Sequence, residues 1–164
     1  MLRPAAVLLA VWLQPGDARL ILTKRASHLK HHPGQIAFPG GKMDAGDASP
    51  EATALREARE EIGLPEARVQ VLGRLPVHET VTGFAVTPVL AILRGPFDPV
   101  PEVGEVDEVF TLPLDHALSP ASFLVERRRW KGEWRRYYAL PYGPYYTWGA
   151  TARIVRGLAD RSVA

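Results

Sequence analysis

The chain contains no cysteine. Disulfides, zinc–thiolate sites, iron–sulfur clusters and a cysteine nucleophile are therefore excluded. Long hydrophobic runs are missing too. The apolar stretch Ala5–Leu13 follows Arg3, as the core of a secretory leader would, but it is too short to span a bilayer. Pro15-Gly16-Asp17 interrupts it, and a second apolar stretch, Arg19–Leu22, comes next, so strand, turn, strand is the better reading. With no transmembrane segment and no linker in sight, the expected location is cytoplasmic. An excess of one charge is also absent. The 20 Lys and Arg against 18 Asp and Glu leave a net charge of +2, which alone gives no ground for nucleic-acid binding. What remains is an ordinary globular composition, 46% apolar and 23% charged over 164 residues. That is enough for one domain, residues 1–164, with a real core.

Val7–Leu13 and Leu20–Thr23 read as a β-hairpin. His28–Gly34 is a polar loop, Ile36–Phe38 a short strand ending at Pro39-Gly40-Gly41, and Lys42–Ala48 a loop rich in Asp and Gly. Ser49-Pro50-Glu51 is a helix start: Ser caps, Pro fits the first helical position, and Glu complements the positive end of the dipole. The helix stops at Gly63, with Pro65 just beyond. Val69–Leu75, Thr82–Leu93 and Glu108–Leu112 read as strands, and Pro113–Leu118 as a short helix. Phe123–Leu140 reads as a hairpin turning at Lys131-Gly132, and Thr147–Leu158 as a terminal helix packed through Ile154, Val155 and Leu158. Strands and helices mix without a regular βαβ rhythm, so an α/β sandwich with a mixed sheet is favoured over a Rossmann fold.

Charge is unevenly spread. Asp44 to Glu61 is acidic; Arg127 to Arg136 is basic, with Trp130 and Trp134 interleaved. An acidic cluster beside a basic one suits a metal ion and a phosphorylated ligand. Within the acidic segment, Glu57, Glu60 and Glu61 stand at i, i+3 and i+4 and share one helix face. Like charges at that spacing repel, and near the C-terminus they oppose the helix dipole. A solvated helix with Arg56 and Arg59 pairing the glutamates would tolerate this, but a bound cation explains it better. Carboxylate oxygens suit Mg²⁺ or Mn²⁺. The preceding Pro39-Gly40-Gly41 lets backbone approach a ligand closely, and a free Gly40 carbonyl would add a metal ligand.

The run Arg56-Glu57-Ala58-Arg59-Glu60-Glu61-Ile62-Gly63-Leu64 resembles the second half of the Nudix box without a break. The first half departs from it. Gly41 to Arg56 is one residue longer than the box, and Asp47 stands where the box has Glu, counted from Gly41. The resemblance implies a Nudix-type α/β/α sandwich with a mixed sheet. It also implies that Glu57, Glu60, Glu61 and the Gly40 carbonyl bind Mg²⁺ or Mn²⁺, that Arg56 holds the glutamates in place, and that the reaction is hydrolysis of a pyrophosphate bond. Divalent ions neutralise the phosphate oxygens, lower the pKa of water and stabilise the leaving group. A further acid often reaches in from a loop in this family, and Glu105 and Glu108 are the candidates for a general base, Glu105 favoured.

Flanking segments bear on the substrate. Leu22-Thr23-Lys24-Arg25-Ala26, then Lys30, Gly34 and Phe38-Pro39-Gly40-Gly41, resemble the signature of the coenzyme A pyrophosphatase branch, with Lys30 where that signature has Arg. Val81–Val89, Glu105 with Val109-Phe110, and Trp148–Ala152 look like the same branch. What this implies is hydrolysis of coenzyme A or a derivative to 3′,5′-ADP and 4′-phosphopantetheine. Arg25, Lys30, Gly41 and the Arg127–Arg136 cluster would then lie along the substrate. His28, His31 and His32 lack a fourth ligand and zinc spacing, and read as a polar loop beside the substrate. Homodimers occur in the family, and nothing in the sequence marks an interface. Two alternatives stand: a Nudix hydrolase for another nucleoside diphosphate derivative such as ADP-ribose, and a non-catalytic module binding nucleotide or RNA through the basic aromatic stretch. Against the second, a binding-only copy has no need of Glu57, Glu60 and Glu61.

Overall fold

The computed structural model describes residues 1–30 and 34–162. A long hairpin opens the chain, β1 (Arg3–Gln14) and β2 (Asp17–Arg25), followed by two short strands, β3 (Ile36–Ala37) and β4 (Gly40–Lys42). Helix α1 spans Pro50–Ile62, and β5 (Val69–Arg74), β6 (His78–Glu79), β7 (Phe84–Arg94) and β8 (Val106–Pro113) complete the main sheet. A short helix α2 (Leu114–Ala117) leads to a second sheet of β9 (Leu124–Trp130), β10 (Glu133–Tyr142) and β11 (Tyr145–Trp148), and the long helix α3 (Gly149–Ser162) ends the described chain.

β1 organises the main sheet. One edge pairs antiparallel with β2 at Val11–Gln14 and with β4 at Ala5–Val7. Its other edge runs parallel to β7, from Arg3 opposite Phe84 to Leu13 opposite Arg94. β5 and β6 pair antiparallel with β7, and β3 and β8 with β2. The sheet is mixed, as the element pattern predicts. Because side chains alternate along a strand, β1 divides the interior in two. Ala6, Leu8 and Ala10 meet Ala54, Ala58 and Ile62 of α1. Leu9 and Val11 join Leu22, Phe110, Leu140, Ile154 and Val155, the last two from α3. The result is α1, sheet, α3: an α/β/α sandwich. No described helix is long and apolar enough to cross a membrane.

Several boundaries differ from the sequence reading: β1, β2 and β8 run longer than expected, α3 extends to Ser162, and three further differences have local causes. Thr147 and Trp148 are not helical. They close β11 opposite Leu140 and Ala139, and α3 starts only at Gly149, whose φ of 68° breaks the strand. Lys42 belongs to β4 rather than to the following loop, because Ala5 pairs with it. The strand expected from Thr82 starts at Phe84, since Thr80 and Gly83 (φ 91°) close a turn first. The hairpin turn at Lys131 (φ 50°) and Gly132 (φ 80°) is as expected, both residues taking the positive φ that a two-residue hairpin turn requires.

Candidate active site

Helix α1 presents the acidic face. Its start is fixed by Ser49, whose hydroxyl accepts the Ala52 N–H at 3.1 Å, with Pro50 at the first helical position. Its end is fixed by Gly63 in the left-handed region (φ 71°), with Gly63 N–H on Arg59 O and Leu64 N–H on Ala58 O. Ala54, Ala58 and Ile62 bury one face against the sheet. Residues one position away from that buried stripe, Glu57 and Glu61, then lie at its margin beside β4.

The β4 backbone supplies the opposite wall. Leu8 N–H donates to Pro39 O at 2.8 Å and Met43 N–H to Pro4 O at 3.0 Å. Bonded and non-bonded positions alternate in an antiparallel pair. Gly40, opposite Val7, is therefore a non-bonded position whose N–H and C=O both point away from β1. The N–H donates to Glu61 Oε1 at 3.2 Å, and the carbonyl lies along the same open edge. Gly41 leaves room for the Glu57 carboxylate: a Cβ there would stand 2.7 Å from Glu57 Oε1 and would displace that carboxylate. Gly41 thus cradles a metal-helix carboxylate.

Arg56 ties the site together. Its Nε and Nη2 take both Asp47 oxygens at 3.0 Å. Nη1 reaches Glu57 Oε1 at 3.1 Å and Glu60 Oε2 at 3.3 Å, and Nη2 also donates to Lys42 O at 3.2 Å. Asp47 further accepts the Asp44 N–H at 2.8 Å and the buried Thr53 hydroxyl at 2.9 Å. These bonds, the one from Arg56 first, hold the Asp47 carboxyl well below the usual carboxylate range. Asp47, at the position where the box has Glu, is the anchor that orients Arg56.

Burial pushes the other carboxyls upward. Glu61, mostly shielded, is raised to about 8, by desolvation before any other cause; Glu57 is raised for the same reason. The closeness of the two carboxyls raises Glu61 further. Glu60 is the exposed member, 46% accessible. Among the described residues no three acidic or histidine side chains converge closely enough to hold an ion. The reason is visible in the contacts: Glu60 turns to Arg56 and Glu61 to the Gly40 N–H. The donor set itself, three carboxylates on one helix face opposite an outward Gly40 carbonyl, fits a hard divalent cation.

The other predicted residues fall at distinct places. Arg25, on the α1 side of β2, is close enough for its charge to act on Glu61. Its N–H donates to Gln35 O at 2.8 Å, and its C=O accepts the Gly34 N–H. Glu105 is exposed in the turn before β8, its carbonyl accepting the Ala26 N–H at 3.0 Å beside Arg25. Glu108 points to the α3 side with Phe110 and Leu112, where the Tyr145 hydroxyl donates to it. That engagement places it across the sheet from α1. Lys30 and His28 are exposed, and His31 and His32 lie outside the described residues. The sequence reading passed over Glu102, whose N–H donates to Glu61 O at 2.8 Å, closing the loop onto the end of α1. Only this long-range contact singles it out.

The structure thus sets a carboxylate-bearing helix beside a glycine-rich strand on an α/β/α sandwich. The family profile described as NUDIX domain matches residues 1–131. A protein named Uncharacterized Nudix hydrolase NudL, from Enterobacter sp. (strain 638), is 45% identical over 159 residues, covering 96% of this chain and 81% of its own. The chain belongs to the NUDIX domain family. The crystal structure of a Nudix hydrolase from M. smegmatis, RenU, superposes with a TM-score of 0.59 at 29% identity, over 70% of this chain and 72% of that one. The MutT protein from Methanosarcina mazei Go1 shares the fold at a TM-score of 0.59 and 18% identity, over 98% of this chain and 94% of that one.

Proposed function

We propose that this Nudix hydrolase cleaves the pyrophosphate bond of coenzyme A or a derivative, giving 3′,5′-ADP and 4′-phosphopantetheine, with Mg²⁺ or Mn²⁺ held by Glu57, Glu60, Glu61 and the Gly40 carbonyl. One observation carries the choice of substrate. Two residues of the segment that resembles the coenzyme A branch border the acidic site: the Gly40 N–H donates to Glu61, and Arg25 lies close enough for its charge to act on it. The ion, when bound, neutralises diphosphate oxygens and makes water a stronger nucleophile. The chain's own groups do the rest. Asp47 fixes Arg56, Arg56 fixes Glu57 and Glu60, and Gly41 leaves room for the Glu57 carboxylate. Arg25 and Lys30 offer cationic partners to the phosphates, and Glu105, exposed at the rim, is the candidate base. Residues 1–164 are read as one hydrolase domain, since Leu140, Ile154 and Val155 share a core with Leu9 and Leu22.

The test is hydrolysis of coenzyme A against ADP-ribose and dATP, with products separated by chromatography. Release of 3′,5′-ADP well above turnover of the other two is expected. Preference for ADP-ribose or dATP would keep the hydrolase chemistry and overturn the substrate. No cleavage of any of them would favour a binding module.

A further inference from the structure

A cleft of about 1020 Å³ lies on the α3 side of the sheet, between the second sheet, the β6–β7 turn and the first turn of α3. That is at the upper end for small-molecule sites. Its chemistry follows from strand register. Arg128 stands opposite Arg135, and Arg127 opposite Arg136. Like charges directly opposite destabilise a sheet, and none of these four arginines is in an ion pair among the described residues. Alternation puts Arg128, Trp130, Arg135 and Tyr137 on one face, with Trp148 beside them. The Arg128 guanidinium lies 5.1 Å from the Trp148 ring centre and 5.9 Å from that of Trp130. Tyr137 meets Trp148 edge-on at 5.4 Å. Arg128, Arg135, Arg136 and Arg153 line the cleft against a single acid, Glu79. Arginines outside any ion pair and interleaved with aromatic rings fit a ligand that is both planar and anionic.

Gln35, between β2 and β3, lines the cleft, and its carbonyl accepts the N–H of Arg25 at 2.8 Å, while Gly40 just beyond β3 donates to Glu61 of the acidic site. We propose that the cleft seats the nucleoside end of the substrate, with a purine against Trp148 and Trp130 and a ribose phosphomonoester between Arg128 and Arg135. The choice of ligand rests on the coenzyme A reading. The opposed arginines would then be a specificity device for the extra phosphate, separate from the groups that hold the diphosphate.

The test titrates the full chain, in Mg²⁺ buffer, with adenosine 3′,5′-bisphosphate and with AMP, read by tryptophan fluorescence. The bisphosphate is expected to bind about tenfold more tightly, as one charge-assisted contact allows. Arg128→Gln, an exposed position, should erase that difference, and Trp148→Leu should weaken both ligands alike. Equal affinities for wild type, or no effect of Arg128→Gln, would overturn the proposal even if coenzyme A is cleaved. An Arg128-dependent preference for the bisphosphate without coenzyme A cleavage would uphold the cleft and discard the substrate reading. Tighter Arg128-dependent binding of a single-stranded RNA oligomer would overturn the proposal in favour of a polynucleotide site.

Discussion

Arg56 is held by Asp47 through two parallel bonds and in turn holds Glu57 and Glu60. Partners of this kind, one step behind the ligands, are worth about 10–100-fold in metal affinity or activity. Asp47→Asn is therefore expected to weaken Mn²⁺ binding by roughly that factor, measured by titration calorimetry; an unchanged affinity would remove Asp47 from this role. Gly41→Ala places a methyl 2.7 Å from Glu57 Oε1, so turnover should fall sharply while the melting temperature stays near wild type. Glu61 gives a pH signature. Its folded pKa, about 8 against an ordinary 4.5, is raised. The stability this contributes is present at low pH and lost as pH rises through about 8. In EDTA the melting temperature should fall between about pH 5 and pH 8 and level off above, and saturating Mg²⁺, which favours the ionised carboxylate, should flatten that fall. A scan in EDTA with no pH dependence would contradict it. The triplet Glu57, Glu60 and Glu61 was legible from spacing alone. The anchor role of Asp47 was not, because it depends on where a nine-residue-distant guanidinium comes to lie.

At the scale of elements, α1 was readable because its punctuation is local. Ser49, Pro50 and Gly63 act on their own neighbours, and the structure places all three as caps or first-turn residues. Ser49→Ala is expected to cost about 1 kcal/mol, seen as a shift in urea midpoint at constant slope; no shift would mean that the cap is redundant with Thr53 and Asp47. The strands β4, β6 and β11 were not legible, and β11 shows why. Thr147 and Trp148 sit in a run, Thr147–Leu158, that reads as helical, yet their backbone is claimed by Leu140 and Ala139 across a turn. Short strands are defined by a partner rather than by their own pattern. The same holds for loop 95–105, which folds back so that Val100 and Glu102 cap the last carbonyls of α1.

Over the whole molecule, alternation along β1 assigns α1 and α3 to opposite sides; the irregular mix of strands and helices was enough to expect an α/β sandwich with a mixed sheet, and the Nudix resemblance implied the α/β/α order. The sheet then gathers groups far apart in sequence: Gly40 and Arg25 from the early strands, the glutamates of α1, and Glu102 and Glu105 from the loop before β8. Arg25→Ala is expected to raise KM for coenzyme A by about tenfold and that for ADP-ribose by less. Equal changes would count against a coenzyme A-specific role for Arg25. Which acid serves as base was not legible, since Glu105 and Glu108 differ by three positions and the sheet alone sends Glu108 to Tyr145.

The central claim is that the glutamates of α1 hold the divalent ions that drive pyrophosphate hydrolysis. Its most direct test is cleavage of coenzyme A by wild type, Glu57→Gln and Glu61→Gln, each with Mg²⁺, with Mn²⁺ and with EDTA, alongside circular dichroism of each protein. Wild type should turn over only with a divalent ion, and both variants should lose turnover while keeping the wild-type spectrum. Activity in EDTA, or normal turnover in both folded variants, would contradict the metal-site assignment.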